Sequence, residues 1–244
     1  MKIRFIGTSH GVPEETRMWT SVMIEVGDNI YVVDAGASVA DGIIRSGKHL
    51  DSLKALFITH QHGDHMHGLP ALVDIISWYY KNSNPAIFLP NEGIDRPLTA
   101  LIDASFGGAH IKDIDYKVTK PGVIYDDGTA RVSAIQTKHI SGGKFPSFAF
   151  LFECEGKKVL FTGDMNASCE DYPDIARTEE LDLVVIEGAH FKLTQREHIF
   201  KETKTGLMCV SHFYPKTNAD EIDKFVRDMP FNIVLAEDGM ELTL

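Results

Sequence analysis

The chain has 244 residues, of which 43% are hydrophobic and 24% charged, values typical of a globular protein, and we expect one domain over residues 1–244. Its formal net charge of −11 argues against non-specific binding to nucleic acid, because such binding depends on basic groups that neutralise phosphates. Three widely spaced cysteines argue against a disulfide framework, and with no secretory signal and no membrane-length apolar run we expect a cytoplasmic protein without a membrane segment.

In the first half of the chain, short apolar runs bounded by turns predict strands, and apolar residues at helical spacing predict helices. The predicted strands are residues 2–6, 20–26, 30–33, 55–58 and 86–89. The predicted helices are residues 38–46, 68–80 and 93–104.

The second half repeats this mixture, and Glu155-Gly156 predicts a hairpin turn between two of its strands. The predicted strands are residues 130–137, 147–153, 157–161, 182–187 and 206–211, with residues 232–235 and 239–243 as a final strand pair. The predicted helices are residues 194–203 and 218–228. Two halves of similar size, each with strands and helices, fit several α/β layouts, and composition alone does not separate them.

A dense group of metal-ligand side chains follows the strand 55–58, in the sequence Thr-His-Gln-His-Gly-Asp-His at residues 59–65. His60 and His62 are two positions apart, so in extended chain their rings point to the same side. Asp64 and His65 are neighbours that diverge where the chain turns after Gly63. A lone histidine is usually either exposed to solvent or packed in the core. Four ligand-type residues within six positions instead predict a metal site.

Three further ligand-type residues each follow a predicted strand: His139, Asp164 and His212. Ligand and catalytic groups collect where strands of α/β proteins end. A single aspartate at such a place is usually a turn or cap residue. The coincidence of all three with the histidine-rich segment favours a shared metal site.

His-x-His-x-Asp-His after a strand resembles the signature of the metallo-β-lactamase fold hydrolases. Further motifs are similar to those of the ribonuclease Z branch and occur in the same order: residues 5–13, 33–36, 65–70, 161–164, 210–212 and 236–240. Within this branch, the chain is more similar to compact phosphodiesterases that open cyclic phosphates than to the tRNA-processing enzyme. The resemblance implies an α/β fold built as a four-layer αββα sandwich of the metallo-β-lactamase type.

The resemblance also implies two divalent metal ions, with zinc expected and manganese or iron left open. By family position, the first ion would be held by His60, His62 and His139, the second by Asp64, His65 and His212, and both by Asp164 as a bridge. A hydroxide bound to the metals would then attack the substrate, since metal binding can lower the pKa of water from 15.7 to about 7.

A proton donor for the leaving group is expected after the strand 182–187. Similar positions in the branch carry an acidic residue and a histidine beside the metals, which assigns Glu187 and His190 here. Together with Asp64 they are the candidate catalytic residues. The chain departs from the tRNA enzyme's His-Glu-Ala-Thr pattern, because Ile186 stands where its first histidine would be. A loop histidine in water is the alternative role for His190.

The expected substrate is a small or cyclic phosphodiester or a short oligonucleotide. Ribonuclease Z carries a basic, Gly/Pro-rich arm that grips tRNA, and no comparable segment lies between the motif helix and His139. This difference and the acidic net charge argue against long nucleic acid as a partner. The alternatives are a metal-dependent lactone, thioester or β-lactam hydrolase, and a catalytically silent binding module. The sequence of such a module would lack one of the metal ligands. A homodimer is left open.

Overall fold

The structure is a computed structural model that describes residues 1–36, 39–105, 114–214 and 219–244. Its strands are β1 (Lys2–Gly7), β2 (Ser21–Val26), β3 (Asn29–Val33), β4 (Leu53–Phe57), β5 (Ala86–Leu89), β6 (Asp115–Val118), β7 (Gly122–Asp126), β8 (Arg131–Thr137), β9 (Ser147–Cys154), β10 (Lys157–Phe161), β11 (Leu183–Gly188), β12 (Leu207–Phe213), β13 (Asn232–Leu235) and β14 (Glu241–Thr243). Its α-helices are α1 (Val39–Arg45), α2 (Gly63–Met66), α3 (Leu69–Tyr79), α4 (Asp95–Ala104), α5 (Ile175–Thr178), α6 (Glu197–Phe200) and α7 (Ala219–Asp228). Short 3₁₀ turns occupy Leu50–Ser52, Ile140–Gly143 and Leu193–Gln195.

One compact unit consists of Met1–Thr119 and Asp238–Thr243. Its sheet has the strand order β14-β1-β2-β3-β4-β5-β6. Strands β3 to β6 are parallel, and β1 and β3 are both antiparallel to β2, which lies between them. Therefore β1, β3, β4 and β5 run in the same direction, and their carboxyl ends meet at one edge of the sheet.

Apolar side chains of this sheet pack against α1, α3 and α4 to form the core of the first unit. In β3 every residue after Asn29 is buried, as expected for a central strand whose sequence is a continuous apolar run. Helix α3 directs Leu69, Leu72 and Ile76 into the core. The core fixes the strands, and the strands fix the loops that leave the carboxyl edge.

The second unit consists of Lys120–Glu237 with the terminal Leu244. Its sheet has the order β13-β12-β11-β10-β9-β8-β7, in which β10 to β13 are parallel. Strand β9 is antiparallel to both β8 and β10. The carboxyl ends of β8, β10, β11 and β12 therefore share one edge. A separate apolar core, which includes Phe200 and Phe225, lies within this unit.

Most predicted strands are confirmed to within one or two residues, and the hairpin between β9 and β10 turns at Glu155 and Gly156, which have φ angles of 52° and 73°. Strands β6 and β7 were not predicted. Both are largely exposed, so their sequences lack the apolar alternation that identifies a strand. Residue 38 of the first predicted helix and residue 218 of the last lie outside the described residues.

Two predictions were wrong. The helix expected over 194–203 is a 3₁₀ turn followed by the short α6, because Arg196 between them has φ −112° and ψ 7°, which is not helical. The two expected final strands form as β13 and β14, but they do not pair with each other. Strand β13 pairs with β12 in the sheet of the second unit, and β14 pairs with β1 in the sheet of the first unit.

The reason for the second error is the turn at residues 236–240. Gly239 has φ 85° and donates its N–H to the carbonyl of Phe5 at 2.7 Å. The carbonyl of Met240 in turn accepts from the Phe5 N–H at 2.9 Å. These long-range hydrogen bonds direct the last strand to β1 rather than back along β13. Among the described residues, no helix has the length and apolar character needed to cross a membrane.

Candidate metal centre

The carboxyl edge of the first unit carries the histidine-rich segment directly after β4. His60 and His65 are buried, and His62 lies at the N-terminus of α2. His60 Nε2 is 3.0 Å from His62 Nδ1, and His65 Nε2 is 3.5 Å from Asp64 Oδ2. The structure thus brings together all four predicted ligands of this unit.

Asp34, at the end of β3, orients this segment. One of its oxygens accepts the N–H of Thr59 at 2.8 Å, and the other lies 2.8 Å from His65 Nδ1. An ionised carboxylate only accepts hydrogen bonds, so His65 carries its proton on Nδ1 and keeps the Nε2 lone pair for a metal. Sequence reasoning assigned no role to Asp34 beyond its place in a family-like motif. Its position before Ala35-Gly36 at a strand end was the available signal.

The carboxyl edge of the second unit carries a second group of ligand-type side chains. Asp164 follows β10, Glu187 lies in β11, His190 follows β11, and His212 lies in β12. Each of these four offers one ligand atom, and the four atoms all lie within 4.8 Å of one another. Asp164, Glu187 and His212 are buried, whereas the side chain of His190 is about one-third exposed.

Asp164 lies among three histidines of this edge. Its carboxylate oxygens are 3.7 Å from His139 Nε2, 3.6 Å from His190 Nδ1 and 3.7 Å from His212 Nδ1. Ligands bound to one ion at about 2.0–2.2 Å stand roughly 3–4 Å apart, so the separations of Asp164 from His139 and His212 fit a shared cation. Position 212 is in the left-handed region of backbone conformation, with φ 50°, where a non-glycine residue is uncommon.

His139 is held in the orientation that a ligand needs. Its Nδ1 lies 3.1 Å from the carbonyl oxygen of Met165, and a carbonyl can only accept. The ring proton is therefore on Nδ1, and Nε2 faces Asp164 with its lone pair. Its backbone N–H donates to Ser147 Oγ at 3.2 Å, which fixes the start of the loop.

Glu187 and His190 form the pair that the sequence predicted. His190 Nδ1 lies 3.0 Å and 2.9 Å from the two carboxylate oxygens. The same carboxylate accepts backbone N–H groups from Met165, Ala189 and His190. These four donors hold the buried carboxylate and the His190 ring in place.

Each unit by itself therefore presents imidazole nitrogens and carboxylate oxygens at the carboxyl edge of its sheet. This mixed donor set suits divalent zinc, manganese or iron. The hydrogen bonds of His65 Nδ1 to Asp34 and of His139 Nδ1 to the Met165 carbonyl are those expected of metal-binding histidines. The residues present fit a divalent metal, while the assignment of individual ligands stays a prediction.

The model of one protein family, described as "Anti-Pycsar protein Apyc1", matches residues 1–185. Ribonuclease Z from Listeria monocytogenes is 34% identical over 142 residues, which are 57% of this chain and 46% of that protein. Ribonuclease Z from Methanocaldococcus jannaschii is 22% identical over 97% of this chain and 73% of that protein. The match to the Listeria proteins spans about half of their length.

Solved structures resemble the whole chain. The match to human tRNase Z, short form, covers 100% of this chain and 99% of the human chain, with a TM-score of 0.75 at 20% identity. The metallo-β-lactamase fold protein YhfI from Bacillus subtilis covers 99% of this chain and 98% of its own, with a TM-score of 0.77 at 16% identity. The match to a diphosphatase of the PhnP family covers 100% of this chain and 97% of the diphosphatase chain, with a TM-score of 0.72 at 18% identity. These likenesses confirm the predicted α/β fold of the metallo-β-lactamase type, and the sequence matches confirm the resemblance to the ribonuclease Z branch.

Proposed function

The chain belongs to the family described as anti-Pycsar protein Apyc1, and from that premise we propose that it is a dinuclear, metal-dependent phosphodiesterase. The single observation that carries the proposal is the position of Asp164 between two predicted ligands of its unit, with its carboxylate oxygens 3.7 Å from His139 Nε2 and 3.7 Å from His212 Nδ1. Such a group of a buried carboxylate and two imidazoles is costly unless a cation or a hydrogen-bond network compensates it. The similarity to ribonuclease Z supports a phosphodiester as the bond that is cut.

The proposed ligands are the seven residues that the family resemblance implies, namely His60, His62, Asp64, His65, His139, Asp164 and His212. Zinc is the proposed metal, because histidine nitrogens dominate the donor set. The chemistry that the ions would supply is Lewis acidity, which lowers the pKa of water to about 7 and stabilises charge on the attacked phosphate. No serine or cysteine nucleophile is then needed.

Residues of the chain itself can supply the proton that the leaving group needs. Glu187 accepts the Nδ1 proton of His190, which fixes the ring with Nε2 directed away from the carboxylate. In the protonated ring, Nε2 carries the second proton and passes it to the departing alkoxide, which leaves as an alcohol. The neutral ring then regains a proton from solvent, which balances the proton that a water molecule releases when it becomes the attacking hydroxide. In this scheme Glu187 positions the ring of His190, and His190 donates the proton to the leaving group. Asp64 is a metal ligand.

The proposed substrate class is a small or cyclic phosphodiester, or a short oligonucleotide. The net charge of −11 opposes the approach of a long polyanion, whereas cations bound at the strand ends would still attract a small one. A ribonuclease and a diphosphatase both break phosphorus–oxygen bonds, so the names of the similar proteins point to phosphate chemistry rather than to lactones or thioesters.

The test is metal analysis followed by a substrate panel. Protein purified without added metal is analysed by inductively coupled plasma mass spectrometry, and two divalent ions per chain are expected. Turnover of bis(p-nitrophenyl) phosphate, cyclic nucleotides, short RNA, tRNA and a lactone panel is then measured with and without EDTA. We expect chelator-sensitive cleavage of the small phosphodiesters. Lactone cleavage without phosphodiesterase activity, or a metal-free protein indifferent to EDTA, would reject the proposal.

A matched pair of variants ties the activity to the predicted ligands. His139→Ala removes a proposed ligand, and we expect loss of metal and of turnover. His198→Ala removes an exposed histidine of the same unit, and wild-type metal content and turnover are expected. Equal metal content and turnover in both variants would contradict the ligand assignment.

A further inference from the structure

Asp171 belongs to none of the predicted ligand or catalytic groups, yet its carboxylate joins the two loops that carry His139 and Asp164. Its Oδ2 accepts the N–H of Lys138, the residue before His139, at 2.7 Å. Its two oxygens also accept the N–H of Asn166, two residues after Asp164, at 3.1 Å and 3.2 Å. One buried carboxylate thus fixes the backbone beside two predicted metal ligands.

The sheet does not make this connection directly. His139 follows β8 and Asp164 follows β10, and β9 lies between these two strands. Ladder hydrogen bonds join each of them to β9 and not to each other. Beyond the strand ends, the two loops are joined by the bond between the His139 ring and the Met165 carbonyl, and by the carboxylate of Asp171.

An ordinary turn role accounts for only part of these bonds. The bond to Asn166 spans five residues, within a turn that Cys169 and Tyr172 close by backbone hydrogen bonds. The bond to Lys138 spans 33 residues, is shorter and contributes nothing to that turn. A hydrogen bond to a charged carboxylate is stronger than one between neutral groups, so this long-range bond constrains the loop of His139.

We propose that Asp171 is a positioning residue that sets the placement of His139 relative to Asp164 and so tunes metal affinity. The inference rests on the proposed metal-dependent function and deepens it. His139 Nε2 and Asp164 Oδ2 are 3.7 Å apart, within the roughly 3–4 Å that separates two ligands of one ion. Without Asp171, the Lys138 N–H loses its acceptor and the loop before His139 gains freedom, so each metal-binding event must first reorder it.

Two variants of Asp171 grade the effect. Asp171→Asn keeps the side-chain volume and one acceptor oxygen, but turns an NH₂ group toward one of the two backbone N–H groups. Asp171→Ala removes both acceptors. Loss of such outer-sphere partners weakens metal binding by about 10–100-fold, and we expect the smaller effect for Asn and the larger for Ala.

The matched control is Asp127→Ala, which is compared with Asp171→Ala. Asp127 Oδ1 also accepts two backbone N–H groups, from Thr129 at 2.8 Å and Ala130 at 2.9 Å. It lies in the hairpin between β7 and β8, at the opposite end of β8 from His139. The control therefore removes a comparable pair of bonds from the same sheet, and wild-type metal affinity is expected.

The measurement is Zn²⁺ affinity of the whole chain by competition with a chromophoric chelator, beside thermal unfolding of the metal-free protein. A purely structural role would lower the melting temperature of the metal-free variants without changing their Zn²⁺ affinity. Amide resonances of Lys138 and Asn166 in the metal-free protein report directly on the two hydrogen bonds, and both are expected to move upfield in Asp171→Ala.

The outcomes separate this inference from the proposed function. Wild-type Zn²⁺ affinity in folded Asp171→Asn and Asp171→Ala overturns the role of Asp171 and leaves the metal-dependent function standing. If Asp171→Ala does not fold, the affinity of Asp171→Asn alone decides in the same way. A wild-type chain that binds no Zn²⁺ overturns the function and this inference together.

Discussion

His190 and Glu187 are joined by a hydrogen bond in which His190 Nδ1 lies 2.9 Å from Glu187 Oε2. The other carboxylate oxygen accepts the N–H of Met165, the residue after Asp164. The histidine is thus oriented from the loop that carries a predicted metal ligand. A ring held in this way can present the same nitrogen to every substrate, which is the requirement for a general acid.

We expect His190→Ala to slow turnover of a phosphodiester with a poor leaving group by about 10²- to 10⁴-fold. The effect on bis(p-nitrophenyl) phosphate should be much smaller, because p-nitrophenolate leaves without a proton. Steady-state kinetics on the two substrates measures the difference, and metal content should stay at the wild-type level. A similar loss on both substrates, or wild-type rates on both, would show that His190 is not the proton donor. His198→Ala is the control for removal of a histidine.

The second prediction concerns Asp34, which holds both Thr59 and His65. Asp34→Ala removes the acceptor that fixes the tautomer of His65, and we expect metal affinity to fall by about 10–100-fold. Chelator competition measures the affinity. Asp28→Ala removes an exposed carboxylate from the turn between β2 and β3 and should leave the affinity unchanged. Equal affinities in the two variants would contradict the orienting role of Asp34.

The third prediction concerns the close approach of Gly68 to the end of β3. A Cβ at position 68 would lie 1.9 Å from the carbonyl oxygen of Gly36, closer than any real contact, and backbone atoms cannot move aside cheaply. Gly68→Ala should therefore lower the free energy of unfolding by about 1–3 kcal/mol or more. Urea denaturation measures the change.

Gly206→Ala is the matched control, because a Cβ there meets no atom within 4 Å. We expect a stability equal to the wild type or higher by about 0.4–1 kcal/mol. A Gly68→Ala protein as stable as Gly206→Ala would show that the start of α3 can shift away from β3.

The fourth prediction concerns the thiols, all of which are buried. Burial raises the pKa of the Cys154 thiol to about 11 and also raises the pKa of the Cys169 thiol. At pH 8 only about 0.1% of Cys154 would then be thiolate, so the native protein should resist iodoacetamide. Mass spectrometry should find all three cysteines alkylated after denaturation.

The raised pKa values of the thiols also make the free energy of unfolding depend on pH. The unfolded chain loses its thiol protons at lower pH than the folded chain, so stability falls as the pH rises from the ordinary thiol pKa toward 11. Rapid alkylation of native protein at pH 8 would contradict the burial of these thiols.

Local patterns were enough to predict much of the fold. The β9–β10 hairpin followed from Glu155-Gly156, and the buried strands β3 and β4 followed from continuous apolar runs. The exposed strands β6 and β7 were missed because their side chains need no apolar alternation. The destination of β14 was also missed, because it depends on hydrogen bonds between Phe5 and residues more than 230 positions away.

The metal-binding character of the chain could be predicted from the sequence: a run of histidines and an aspartate after one strand, and three more ligand-type residues after others, indicate a metal site where the strands end. This prediction was possible because ligand type and strand position are local properties. The groups that orient these ligands, such as Asp34 for His65 and Asp171 for the loop of His139, became apparent from the folded structure alone. A hydrogen bond between Lys138 and Asp171, 33 residues apart, leaves no periodic trace in the chain, since it depends on how the strands are ordered in the sheet.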